Sequence, residues 1–319
     1  MMEQSRMASL EELFMNVSKN DRLIQAVFVI AGIALFGYVL SNITLGDMYK
    51  TFSVMGANVL LIASILLFEM VVSSARLKLL IGKKYDVPMK SVFRIMFETT
   101  LFAVYSPGKV GELMKLDLFK KEGVKRTYSL AAIVFSRVFD LAVVMLFSLG
   151  VLFSLGVDLL MITALAVLAV AAAFATYKLG IFRGPTSSVL DAFKTFFDIK
   201  VALLMIALSV VLWMADTTMP YIALMIQGYN VDFFQTASIY FASIIIGLVS
   251  MIPGGLGTSD FSFSYGMTRL LAVPEADAIA TIVMLRIIVF VVFSVGGLMY
   301  FYDMKNLPIS AQPQDTKSP

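Results

Sequence analysis

Apolar residues run through most of this chain for a helix length or more without strand-like alternation, separated by short polar or glycine-containing stretches. An unbroken apolar run of about 18 residues or more predicts a helix that crosses a bilayer, because ~20 residues in helical geometry span the hydrocarbon. Leu23 to Leu40, Val54 to about Lys78, Leu130 to Phe153, Leu159 to Tyr177, Val201 to Ile226 and Ala278 to Tyr302 read this way. Two further apolar segments stop at a helix-breaking run. Ser91 to Tyr105 ends at Ser106-Pro107-Gly108-Lys109-Val110-Gly111-Glu112. Phe233 to Ile252 ends at Pro253-Gly254-Gly255-Leu256-Gly257-Thr258-Ser259-Asp260, after which Phe261 to Leu271 returns. Both breaks share Pro-Gly-x-x-Gly, and a carboxylate follows the second glycine by one position in the first and by three in the second. Proline removes a backbone donor and glycine weakens a helix. In a bilayer such breaks are tolerated only where protein or a wet cavity satisfies the freed backbone groups.

Composition agrees with the pattern. Hydrophobic residues make up 59% of the 319 and charged residues only 15%, so the fold class is all-α: a polytopic membrane helical bundle. We expect a single transmembrane domain over 23–303, a polar cytoplasmic segment over 1–22 and a disordered cytoplasmic tail over 304–319. The first apolar run reads as a retained anchor, since no small-residue cleavage site follows it. With neither cysteine nor histidine, thiol nucleophiles, disulfides, Cys/His metal sites and histidine acid–base catalysis are excluded. No metal, cofactor or nucleic-acid partner is expected, and oligomeric state is not legible.

Charge placement refines the topology. Lys and Arg gather at 76–90 and 109–126, on either side of the 15-residue segment Ser91 to Tyr105. A full crossing there would carry one basic region outside, against the cytoplasmic preference of such loops. A re-entrant hairpin over 91–115, tipped by the first break, keeps 20 of the 25 Lys and Arg residues inside. The same count places the second break on a hairpin from the opposite face. Six spans, two opposed hairpins and two cytoplasmic termini in a multi-pass plasma-membrane protein follow. The competing model of eight spans leaves six basic residues outside.

Aligning the breaks exposes a duplication at offsets of 146 to 149 residues: Glu69 with Asp216, Pro107 with Pro253, Gly111 with Gly257, Arg137 with Arg286. The repeats cover about 54–153 and 201–302 and are inverted, an arrangement common among secondary transporters with a midplane site. Arg137 and Arg286 lie about eight positions into their predicted helices from opposite faces, ~12 Å deep. Plainer roles stand beside these. Glu69 and Asp216 can be interhelical hydrogen-bonding glue, Arg137 and Asp140 can neutralise each other, Glu112 and Asp260 can cap helices, and Arg76 reads as an interfacial snorkelling residue.

The Pro253-Gly254-Gly255-Leu256-Gly257 run with its acidic follower, the Ser106 to Glu112 run, Arg137-x-x-Asp140 and Arg286 together resemble the lysylphosphatidylglycerol synthase transmembrane-region family over roughly residues 20–303. The family usually has glutamate where Asp260 stands and an acidic residue where Ser136 stands. The resemblance implies lipid translocation, and it does not imply aminoacylation, which belongs to a fused soluble domain.

Three functions follow as expectations. The first is a flippase-like transporter for an anionic lipid head group, a phospholipid or a polyprenyl-phosphate-linked intermediate. Arg137, Arg286 and the glycine turns at Gly108, Gly111, Gly254, Gly255 and Gly257 would bind the head group. Glu69, Glu112, Asp140, Asp216 and Asp260 would be its charge partners and gates, competing for the arginines when the site is empty. The second is a membrane-embedded glycosyl- or phosphotransferase with Glu112 or Asp260 as base. The third is a noncatalytic scaffold that binds anionic lipid through the basic patch 76–126.

Overall fold

A computed structural model describes residues 37–38, 41, 43–106, 111–154, 192–196, 198–250 and 252–305. The described residues are helical or in connecting turns. In chain order the helices are α1 (Leu45–Met55), α2 (Asn58–Ile81), α3 (Met89–Tyr105), α4 (Met114–Lys121), α5 (Arg126–Ser154), α6 (Ile199–Ile226), α7 (Phe233–Val249), α8 (Thr258–Leu270) and α9 (Glu275–Lys305), with a 3-10 turn at Pro253–Gly255 between α7 and α8.

Four of these helices are long and apolar enough to cross a membrane: Asn58–Ile81, Arg126–Ser148, Ile199–Ile226 and Glu275–Tyr302. The run 159–177 and all of the run 23–40 except residues 37 and 38 lie outside the described residues. Large apolar side chains remain on the outer surface of these helices, among them Leu60, Phe68, Leu203, Val291 and Leu298. A soluble bundle would bury such a belt, whereas a bilayer solvates it. The chain is a multi-pass helical membrane protein.

The helices α3 and α7 have 17 residues and α8 has 13, each less than the ~20 that a full crossing needs. Among the described helices α3 packs against α2 and α9, and α7 packs against α5 and α8. Close approach of α3 to α9 depends on Gly296, where a Cβ would lie 2.1 Å from the Phe97 carbonyl oxygen.

Helix ends follow local chemistry. Thr44 Oγ1 accepts the Asp47 N–H at 3.1 Å while Asp47 Oδ2 accepts the Thr44 N–H at 2.9 Å, a reciprocal cap that starts α1. The Thr44 hydroxyl also holds the exposed Asp47 carboxyl below the usual carboxylate range. The sequence reading passed over α1 because its 11 residues carry no unbroken apolar run. Asp232 caps α7 by accepting the Gln235 N–H at 2.8 Å. The helices α5 and α9 begin at Arg126 and Glu275 rather than at Leu130 and Ala278. Polar residues extend each apolar core by about a turn: Arg126 pairs with Asp117, and Glu275 and Asp277 suit the positive end of the α9 dipole. Both arginines consequently sit on the twelfth residue of their helices, ~16 Å from the start.

Candidate functional site

The second break turns on glycines with left-handed backbone, φ +62° at Gly254 and Gly255 and +83° at Gly257, conformations that L side chains resist. Beyond the turn, Asp260 reaches back. Its Oδ2 accepts the Gly257 N–H at 2.9 Å, and its Oδ1 accepts Arg286 Nε at 2.6 Å. Capping and ion pairing are therefore one contact set. The Arg286 Nη2 donates to the Gly254 carbonyl and to Ser259 Oγ, each at 3.2 Å, so the guanidinium holds the broken backbone in the manner a bilayer requires. The Tyr105 hydroxyl at the end of α3 donates to the Arg286 carbonyl at 3.3 Å.

The first break is built alike. Residues 107–110, including Gly108, lie outside the description, but Gly111 presses so closely on α3 that a Cβ would lie 2.3 Å from the Phe102 carbonyl oxygen. Its N–H donates to Ser106 Oγ at 2.7 Å. Next to it, Glu112 receives a fork from Arg137: Nε to Oε2 at 3.2 Å and Nη2 to Oε1. The Arg137 Nη1 donates to Asp140 Oδ2 at 2.8 Å. Lys115 Nζ stands 3.9 Å from Glu112. Bidentate guanidinium–carboxylate geometry of this kind is also the geometry that receives a phosphate.

Asp140 has a second cation. Arg76 Nη1 donates to its Oδ1 at 2.8 Å, while Arg76 Nη2 donates to Ser136 Oγ at 2.6 Å and to the Ser136 carbonyl at 3.0 Å. Ser209 on α6 completes the shell at 2.9 Å. With its side chain 3% exposed, Arg76 is not the snorkelling residue the sequence suggested. It faces inward because the α2 face bearing Glu69 turns back after seven residues onto Arg76, two helical turns away. Three cations, Arg76, Arg137 and Lys115, thus meet two carboxylates, Glu112 and Asp140. The Arg137 side chain is 39% exposed, while those of Glu112 and Asp140 are 9% and 6% exposed. More than a third of the Arg137 side chain is therefore uncovered.

The breaks meet each other. A Cβ on Gly254 would lie 3.0 Å from the Val104 carbonyl and 3.7 Å from the Tyr105 ring, so the second turn rests on the end of α3 where the first begins. Glu69 and Asp216 are placed elsewhere: they are neighbours of each other across α2 and α6, and Tyr240 donates to Asp216 Oδ2 at 3.0 Å. Of the charge partners expected for the arginines, Glu112, Asp140 and Asp260 make contact with them. Sequence reasoning missed Ser209, Tyr240, Ser259 and Lys115. Only the spacing of Ser209 from Asp216, seven residues on one helix, could have drawn notice to the first.

The family model for the lysylphosphatidylglycerol synthase TM region matches residues 23–297. Among curated proteins, an 82-residue stretch is 34% identical to a phosphatidylglycerol lysyltransferase of Bacillus subtilis, covering 26% of this chain and 10% of that protein. A 74-residue stretch is 32% identical to the enzyme of the same name from Staphylococcus haemolyticus, covering 23% and 9%. A 104-residue stretch is 29% identical to a UPF0104 membrane protein of Pyrococcus horikoshii, covering 32% and 31%. The matched stretches thus span about a tenth of the two lysyltransferases and about a third of the Pyrococcus protein.

Proposed function

The chain belongs to the lysylphosphatidylglycerol synthase TM region family, and from that premise we propose that it is a flippase-like transporter for the anionic head group of a lipid. The observation that carries this reading is the meeting of two broken helices, each of whose carboxylates is held by an arginine twelve residues into the following long helix. A lipid phosphate offers those guanidiniums the same planar pair of oxygens as Glu112 or Asp260. Exchange of phosphate for carboxylate therefore conserves hydrogen bonds while moving a charge. Arg137 is the entry point, because its side chain is the less covered of the two arginines.

The short helices α3, α7 and α8 act as two re-entrant hairpins from opposite faces, and the two repeats are inverted. Support comes from the register of the leading helices. Glu69 stands opposite Asp216, and Arg76 opposite Ser209 through Asp140. Seven residues forward on α2 thus match seven residues backward on α6, the antiparallel relation that inversion demands. In this reading both termini are on the cytoplasmic side of the plasma membrane, which the basic stretches 76–90 and 109–126 support.

Phosphatidylglycerol is the first lipid to test, since two relatives carry its name. Protein reconstituted in vesicles with a fluorescent phosphatidylglycerol should accelerate the loss of signal to a membrane-impermeant quencher. Equal rates with and without protein, across phosphatidylglycerol and polyprenyl phosphate alike, would refute the reading.

A further inference from the structure

Glu69 occupies the midpoint of the 24-residue α2, and its Oε1 is sealed from solvent without a hydrogen-bond partner. Its electrostatic neighbour is Asp216 on α6. Tyr240 on α7 supplies Asp216 with a donor at 3.0 Å, but the hydroxyl has one proton and leaves Glu69 without one. Arg286 on α9 lies within electrostatic reach of Tyr240, yet its hydrogen bonds go to Asp260, Gly254 and Ser259. Arg76, Arg137 and Asp140 form their own cluster two turns along α2. On α3, Arg94 pairs with Glu98 at 3.2 Å. Glu69 Oε1 thus has no donor among the described residues while a second carboxylate stands beside it inside the span, an arrangement that is costly when both are ionised.

A cleft of about 280 Å³ lies between α2 and α6, lined by Ser64, Ile65, Phe68, Ala215 and Thr218, of which Phe68 and Ala215 precede Glu69 and Asp216 in the chain. Among the described residues, no group of three or more Asp, Glu, His or Cys side chains gathers to hold a metal ion. A sodium or calcium ion would demand five or more oxygen ligands, and the pair with its cleft offers too few. A proton needs only one oxygen.

The geometry points to the Glu69–Asp216 pair as a proton-binding site that is loaded through the α2–α6 cleft and linked by Tyr240 to the Arg286–Asp260 clamp. A proton that enters by way of the cleft is held on the otherwise unpartnered Glu69 Oε1, and the charge of the pair falls from two negatives to one. Tyr240 then feels a weaker negative field on the Asp216 side and a relatively stronger pull from Arg286. Filling this site therefore biases the second clamp without touching it. The inference deepens the head-group reading and rests on it only for coupling to transport.

Infrared difference spectroscopy of the protein in vesicles, titrated through neutral pH, tests the site without any lipid cargo. Wild type should show one buried carboxylic-acid carbonyl band that shifts in heavy water and disappears on alkalinisation. The isosteric double variant Glu69→Gln with Asp216→Asn, which imitates the neutral pair and keeps the Tyr240 contact, should lose the band. Tyr240→Phe should shift its titration while leaving it present. No titrating band in wild type, or an unchanged band in the double variant, overturns the proposal. Displacement of the band by sodium at constant pH also overturns it, in favour of a metal cation. In the same vesicles an imposed pH gradient should accelerate phosphatidylglycerol movement in wild type but not in the double variant. A band that behaves as expected without any lipid movement upholds the proton site and counts against the head-group reading alone.

Discussion

At the scale of single residues the chain concentrates its charge chemistry in two guanidiniums. Replacing Arg137 or Arg286 by glutamine keeps a hydrogen-bonding side chain of similar reach and removes the charge, so each change should abolish lipid translocation with the fold retained. The stability cost differs between them. Arg286 is 20% exposed and its loss strands the nearly buried Asp260, at ~3–5 kcal/mol. Arg137 is 39% exposed, so solvent screening should hold its cost to about half of that. The neutral exchange Arg137→Gln with Glu112→Gln should recover most of the thermal stability in detergent while transport stays lost. Pairing Arg137→Gln with Asp140→Asn should not, because Asp140 also neutralises the buried Arg76. Recovery of transport in the Glu112 pair would make Arg137 a structural partner only.

At the scale of elements, the breaks and the helix ends set the geometry. Gly111→Ala would drive a methyl into the Phe102 carbonyl at 2.3 Å, so α3 and the start of α4 must part. A loss of ~2–4 kcal/mol in stability, read as a lowered unfolding temperature, is expected, well above the ~1 kcal/mol typical of a substitution. Gly123→Ala serves as the control: its Cβ meets nothing within 4 Å, and only the left-handed backbone at φ +82° resists it. A second element contact carries a pH signature. Tyr229, in the turn after α6, donates to Asp277 in the first turn of α9. Burial, and then that carboxylate, push its hydroxyl up to about 12. A folded value above the ordinary tyrosine range means that the contribution is complete below about pH 10 and fades as pH rises towards 12. Tyr229→Phe should cost ~0.5–1.5 kcal/mol at neutral pH and should flatten that alkaline limb.

For the whole molecule the testable quantity is sidedness. The chain contains no cysteine, so single cysteines at the exposed Lys120, in the last turn of α4, and Asn230, between α6 and α7, report without background. They should react with an impermeant maleimide from opposite sides of the membrane. Labelling of Lys120→Cys from outside intact cells would replace the hairpin at the first break by a full crossing and remove the inversion with it.

The apolar runs, the two glycine breaks and the arginines in the long helices that follow them were legible in the sequence, because spans and broken helices are written in local composition; that Glu69 and Asp216, aligned there as repeat equivalents, are neighbours was not. The helix starts were not, since Arg126 and Glu275 extend their helices through contacts and dipoles that hydropathy does not register. Nor was the assignment of partners. Spacing alone left Arg137 to neutralise Asp140 and left Arg76 at the interface, whereas packing of α2, α5 and α6 makes Asp140 the hinge between both arginines and Ser209. The meeting of the two breaks at Gly254 and Val104 depends on contacts between residues more than a hundred positions apart. The sequence by itself determined which residues a bilayer would force into the protein interior. Which of those charges satisfy one another, and which carboxylate is left without a donor, only the tertiary arrangement decided, because a buried charge is neutralised by whatever stands within a few ångströms of it.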